Sequence, residues 1–259
     1  MLAKEVAGHA YSKAEHRRSL QPRLENRSEG SIEFKHQNIS AVLIRAGHIY
    51  VRGYKPAWNY QELLEEVVLS QIAENELIVE SERLLIETAI DPIRLNDTGE
   101  VFVSPPEKRP ASTVQERAPR QARKMNFAER EARNRKLGKI GEEFVLAVER
   151  QRLESVGRSD LAKEVEWTSE IKGDGTGYDI RSFSGGSEVP LFIEVKTTNS
   201  GKYQPFLLSQ NELLFSEDHS EKFALYRVFE FSRRPQIFRL NGYIGSHVNL
   251  SATTYRASF

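Results

Sequence analysis

The segment Gly173-Asp-Gly-Thr-Gly-Tyr-Asp179-Ile-Arg-Ser-Phe183, the turn Ser184-Gly-Gly-Ser187 and the run Leu191-Phe-Ile-Glu-Val-Lys196 decide how this 259-residue chain is read. Leu191 to Lys196 alternates as a strand does. Side chains on a strand repeat with period two, so Glu194 and Lys196 share one face while Ile193 and Val195 share the other. Tyr178 to Arg181 reads as a second short strand, and the Gly/Ser turn permits a hairpin between the two. That pairing sets Asp179 beside Glu194. Two carboxylates and a lysine converging on a sheet edge supply hard oxygen ligands for Mg²⁺ or Mn²⁺. They also supply a cation for the attacking water or a charged phosphate, which together is the chemistry of phosphodiester hydrolysis. The plain alternative is a solvated strand face with a cross-strand pair, worth less than about 1 kcal/mol.

The arrangement resembles the PD-(D/E)xK nuclease signature, with Asp179 as the first acid and Glu194-Val195-Lys196 as the E-x-K element. The short motif recurs by chance, and its specificity comes from the words around it: Gly138-Lys-Ile-Gly141-Glu142-Glu143, Gly173 to Ile180, Ile193-Glu-Val-Lys-Thr-Thr198 and Leu208-Ser-Gln-Asn-Glu212. With these words the C-terminal half resembles the domain named after the plant protein NO VEIN and, through it, the Mrr-like restriction endonucleases. The resemblance implies an α/β domain with a restriction-endonuclease-like αβββαβ core and Mg²⁺-dependent cleavage of DNA. It also implies that Glu142, on the first helix, joins Asp179 and Glu194 as a catalytic and metal-binding acid. Glu143 is the adjacent competitor, and a solvent-facing helix glutamate is the ordinary alternative for either.

The rest of the C-terminal half, 126–259, reads in the same order. Asn126 and Glu129 have capping-box spacing for a helix with Leu137, Ile140, Phe144 and Val148 on one stripe. Gly138 and Gly141 inside it each cost about 1 kcal/mol relative to Ala, which suggests a close approach to the helix. Val165 to Thr168 reads as a first strand with Trp167 against a sheet face. Ser209 and Glu212 cap a helix over Asn211 to Ser216, and Phe223 to Phe231 is a strong strand with Ile237 to Leu240 as an edge. The resulting order is α-β-β-β-α-β. Thr197, Thr198 and Lys202, with Asn199 and Gln204, carry donors that suit phosphate or sugar oxygens, or are ordinary loop residues. Ser209 reads as a cap rather than a nucleophile, and His219 as structural.

Residues 104–125 form an extended linker containing Pro105, Pro106, Pro110 and Pro119. Arg120, Arg123 and Lys124 make its end basic, suited to a phosphate backbone or simply to solvation. Residues 1–103 read as a mainly helical recognition domain. Ser12 with Glu15 caps one helix, and a second carries Ile32, Ile39, Val42 and Leu43 and ends at Gly47. Asn59 caps a third that runs to Ile72, and a fourth holds Leu84 to Ile86. Val101 to Val103 reads as a last strand of this module. In Tyr50 to Tyr60 aromatics interleave with Arg52 and Lys55, as on a nucleic-acid contact surface, or else the aromatics close a small core. The polar block Arg27 to Ser40 is similar to modules attached to bacterial restriction-type nucleases, which suggests a targeting role.

Composition narrows the field. Lys+Arg 37 against Asp+Glu 37 leaves a formal net charge of +0, so DNA contact must come from local patches. Cys 0 removes disulfides, thiolate zinc sites and a cysteine nucleophile. The six histidines are scattered without metal-binding spacing. No apolar run approaches the roughly 20 residues of a membrane span, and the N-terminus lacks a signal-peptide core, so a soluble cytoplasmic protein is expected. The expected partner is DNA, together with a helicase or defence-system protein, and a homodimer if both strands are cut. The rival expectation is a non-catalytic DNA-binding or protein-interaction module on a nuclease-like scaffold.

Overall fold

The computed structural model describes residues 1–25, 27–76, 78, 80, 101–108 and 127–252. The N-terminal part is helical as expected, with α1 Leu2–Val6, α2 Lys13–Leu20, α3 Glu29–Arg45 and α4 Glu62–Ala73. The Ser12 and Ser28 hydroxyls accept the backbone N–H groups of Glu15 and Ser31, each at 3.2 Å, and so satisfy donors that a helix start leaves free. Gly47 turns the chain out of α3 at φ 78°, a conformation that costs glycine little. Leu43 and Ile44 of α3 pack with Tyr50 and Ile72, and Trp58 and Val68 lie against them. Tyr50 and Tyr54 are buried, so the aromatic segment does close a core.

Asn59 does not cap the third helix. Gln61 stands at that position without a side-chain bond, while the Asn59 carbonyl accepts from buried Asn38 at 3.3 Å. The same Asn38 amide donates to the Ala57 carbonyl at 2.7 Å, pinning the aromatic loop to α3. The expected fourth helix, Leu84 to Ile86, lies outside the described residues.

The C-terminal part begins with the long helix α5, Phe127–Ser155, whose expected cap Asn126 lies outside the described residues. Two short helices follow, α6 Ser159–Lys163 and α7 Thr168–Lys172, on either side of β1 Glu166–Trp167. Then come β2 Ile180–Phe183, β3 Pro190–Thr197, α8 Gln210–Asp218, β4 Phe223–Phe229, β5 Gln236–Asn241 and α9 Ile244–His247. The five strands lie in the order β1-β2-β3-β4-β5. Only β3 and β4 are parallel, joined by the crossover through α8. This is a mixed sheet of an α/β domain.

Period two sorts the side chains of this sheet between two layers. Ile180, Ile193, Val195, Tyr226 and Val228 meet Phe144 and Val148 of α5 on one side, with Leu137 and Ile140 of the predicted stripe packed at its margin. Phe223, Leu225 and Leu240 meet Leu213 and Phe215 of α8 on the other, where Ile244 also packs. Glu149, wholly buried on α5, accepts from Ser182 Oγ at 2.6 Å, Tyr226 OH at 2.9 Å and Arg152 Nη2 at 2.7 Å. One carboxylate thus clamps α5 across β2 and β4.

Val101 to Val103 belongs to this sheet rather than to the helical module. The N–H of Ile237 donates to the Val101 carbonyl at 2.7 Å and that of Val103 to the Ile237 carbonyl at 2.8 Å, so the segment pairs with the outer edge of β5. Phe102 packs edge-on against Tyr226 and lies beneath the Arg239 guanidinium, 3.7 Å from its ring centroid. The two parts also meet at Glu5, which is 1 % exposed and takes Arg52 Nε at 2.9 Å and Arg233 Nη1 at 2.7 Å. Among the described residues no helix is long and apolar enough to cross a membrane.

Candidate active site

The register of β2 on β3 pairs Ile180 with Ile193, so Asp179, one residue before β2, falls opposite Glu194. The Asp179 N–H donates to the Ile193 carbonyl at 2.9 Å. Its carboxylate Oδ2 accepts the N–H of Val195 at 2.7 Å, which fixes the side chain across β3. Gly177, at φ 84°, shapes the approach: a Cβ there would stand 2.7 Å from Cβ of Phe215. Tyr178, Phe192 and Phe215 form a ring cluster beneath, and His219 stacks on Phe215 at 4.1 Å.

Glu194 is only 3 % exposed, so the strand face is not a solvated one. The ammonium of Lys196 lies between two carboxylates, 2.7 Å from Glu194 Oε1 and 2.9 Å from Glu212 Oε2. Glu212 comes from the capping box of α8, and its Oε2 also accepts the Ser209 N–H at 3.2 Å. Glu142 approaches from α5, where its Oε2 accepts Trp167 Nε1 at 2.7 Å and Ser169 Oγ at 2.5 Å. Glu143 is exposed beside it. Gly141 explains the approach of this helix, because a Cβ there would meet the Thr197 side chain 2.7 Å from its Cβ. Gly138 has open space around it, so close approach accounts for only one of the two helix glycines.

The electrostatics follow from this crowding. Burial first, and then the charge of Glu142, push the Asp179 carboxyl up to about 7, against the opposing Val195 N–H bond and Lys196. Burial and Asp179 likewise hold Glu194 well above the ordinary carboxylate range, with Lys196 pulling the other way. For Lys196 burial alone would favour losing the proton, but Glu194 and Glu212 outweigh it and the ammonium is held. Lys196 is thus held as an ammonium between the two carboxylates.

Among the described residues no three His, Asp or Glu side chains are arranged as a ready cage for a metal ion. A cage is not what Mg²⁺ requires, since it commonly takes one or two carboxylates and keeps waters or phosphate oxygens for the rest. Asp179 and Glu194 offer two carboxylates from facing positions of β3 and the residue before β2. Burial and the neighbouring carboxylates raise their proton affinity in spite of Lys196, and a divalent cation would offset that repulsion.

The other candidates fall elsewhere. The Thr197 hydroxyl is buried without a partner against α5, and Thr198 Oγ1 accepts the Ser200 N–H at 3.1 Å within its own loop. Arg52 is committed to Glu5 and to Glu230, the latter at 3.2 Å. Lys55 and Lys202 line a cleft away from the acidic cluster. Arg120, Arg123 and Lys124 lie outside the described residues. Sequence reasoning assigned Glu212 only a capping role and gave Ser169 none. The cap spacing placed Glu212 at the start of α8, but its second partner is set by which strand passes beneath.

Residues 141–240 match the family model described as Protein NO VEIN, C-terminal. The matched span holds Glu142, Asp179, Glu194, Lys196 and Glu212 together. No curated protein and no solved structure matches the chain.

Proposed function

We propose that the acidic cluster hydrolyses phosphodiester bonds in DNA, with Mg²⁺ or Mn²⁺ as cofactor. The observation that carries this reading is the burial of Glu194 beside Lys196 and opposite Asp179, a costly arrangement that a solvated strand face would not need. The match of residues 141–240 to the NO VEIN C-terminal family model supports it, as does the resemblance of Asp179 and Glu194-Val195-Lys196 to the PD-(D/E)xK signature on a mixed sheet packed between α5 and α8. Asp179 and Glu194 would hold the ion, with Glu142 adding negative charge at its side. When bound, the cation supplies an electrophile for a phosphate oxygen and lowers the pKa of water. Lys196 holds its proton and offers a positive charge to the phosphate as negative charge builds up in the transition state. Glu212 and Glu194 fix where that ammonium stands. Trp167 and Ser169 orient Glu142. Water attacks phosphorus as its proton passes to solvent, the bond to the departing sugar oxygen breaks and that oxygen takes a proton from solvent, and no covalent enzyme intermediate is required.

The test is nicking of plasmid and oligonucleotide DNA, modified and unmodified, by the intact protein and by Asp179→Asn and Glu194→Gln, with Mg²⁺, Mn²⁺ or EDTA. Metal-dependent nicking that falls by at least about 100-fold in both variants is expected, as for loss of a principal transition-state contact. DNA that is bound yet left uncut by the intact protein under every condition would replace this reading with a binding module.

A further inference from the structure

We propose that Leu207, with Pro205 beside it, is an apolar wedge that enters between bases of the DNA next to the acidic cluster. This rests on the nuclease reading for its ligand class and names how that site selects its substrate. Residues 205 to 209 alternate in exposure: Pro205, Leu207 and Ser209 are exposed, while Phe206 and Leu208 are half-buried. An extended segment sends successive side chains to opposite sides, so this one is apolar on both. Phe206 and Leu208 account for the inner side, where they pack on the same core as Leu213 and Phe215 of α8. The outer side has no such cover. Leu207 is 75 % exposed, more than any other large apolar side chain among the described residues.

Single exposed leucines are ordinary on a protein surface, and the place of this one is what distinguishes it. The segment is clamped at both ends. Arg227 of β4, which is buried, donates from Nη2 to the Gln204 carbonyl at 3.2 Å and lies over the Phe206 ring, 5.3 Å from its centroid. No carboxylate offsets that burial, which lowers the Arg227 pKa to about 9. A guanidinium buried without a countercharge is costly, and here it fixes the start of the segment. At the far end Ser209 and Glu212 close the capping box of α8, with Leu208 and Leu213 at the positions of a hydrophobic staple.

The clamp also sets the distance to the acidic cluster. Glu212 Oε2 accepts the Ser209 N–H at 3.2 Å and lies 2.9 Å from the Lys196 ammonium. Leu207 stands two residues before Ser209, so its Cα is within about 12 Å of that ammonium. With bases rising about 3.4 Å per step, the wedge acts within about four steps of a phosphate held by Lys196. Pro205 and Leu207 carry no donor or cation for the backbone, so what they can meet on DNA is a base or a sugar. Leucine and proline are among the side chains that enter base steps and unstack them. Unstacking costs least at a mismatch or a flexible pyrimidine–purine step, so such sites are favoured over stiff A-tracts.

The experiment measures binding of the intact chain, in Ca²⁺ and across a salt series, to duplexes with a central mismatch, a TA step or an A-tract. Each duplex carries fluorescein for anisotropy and 2-aminopurine beside the central step. The mismatched duplex should bind more tightly than the A-tract, and 2-aminopurine fluorescence should rise as its base unstacks. Leu207→Ala, at a position too exposed to matter to the core, should weaken mismatch binding about tenfold and abolish the rise. It should leave the salt slope unchanged, because no cation is lost. Leu207→Met, which keeps the apolar bulk, should retain both signals. Leu63→Ala, which trims a leucine 65 % exposed on α4, should change neither. Unaltered affinity and fluorescence in Leu207→Ala, an equal loss in Leu63→Ala, or no binding to any duplex overturns the wedge. Nicking assays in Mg²⁺ on the same proteins separate the two ideas. Nicking by the intact chain with unaltered binding in Leu207→Ala would remove the wedge and leave the nuclease. An intact chain that never nicks, but whose fluorescence rise is lost in Leu207→Ala, would do the reverse.

Discussion

Asp179 holds a proton in the metal-free fold up to about pH 7, whereas an ordinary aspartate releases it near 3.8. The folded state therefore binds more protons than the unfolded chain between those values, and stability falls as pH rises through that window. Asp179→Asn should flatten the fall and stabilise the metal-free protein above pH 7 by on the order of 2 kcal/mol, read from urea denaturation. Saturating Mg²⁺ should flatten it in the intact protein, because the cation takes the proton's place. Lys196 gives the opposite sign of effect. Lys196→Ala leaves Glu194 buried without its cation, and a loss of about 3 kcal/mol is expected in the same measurement. The shared face of Glu194 and Lys196 was legible from period-two alternation and the place of Asp179 opposite Glu194 from the hairpin, both local properties of strands and their turn. Glu212 and Ser169 were not, since their roles arise from elements brought together by the fold.

At the scale of elements, α5 and β3 meet through one missing side chain. Gly141→Ala drives a methyl into Thr197 and should cost about 1–3 kcal/mol. Gly138→Ala, with nothing nearby, should instead gain up to about 1 kcal/mol from helix propensity. Thermal denaturation of the two variants should move in opposite directions. The sequence marked both glycines alike, because propensity records the cost of a glycine and not its neighbour. The α8 cap and the strands β3, β4 and β5 were likewise local signals, whereas the expected strand Val165 to Thr168 shrinks to Glu166–Trp167 because Thr168 opens the helix α7. Asn59 was misread for a related reason: its position suits a cap, but Asn38 of α3 takes hold of its carbonyl from outside the segment.

Across the whole molecule, the buried Glu5 carboxylate ties residue 5 to Arg52 and Arg233. Burial alone would raise its pKa, but the Tyr11 hydroxyl, Arg52 and Arg233 outweigh it and hold it below the ordinary value. Its contribution is therefore fully present above the usual carboxylate range and lost as pH falls through the depressed value. Glu5→Ala should cost about 1–3 kcal/mol and speed amide exchange across the first turn of the chain and around Arg233. None of this junction was visible from sequence, where residues 5 and 233 stand at opposite ends. The strip Val101 to Val103 has a further effect. It covers the outer hydrogen-bonding groups of β5, which would otherwise template pairing with another molecule. A fragment cut at residue 126, where the sequence invites a boundary, is expected to self-associate on light scattering through that bare edge. One cut before Val101 carries its own cover and should stay dispersed.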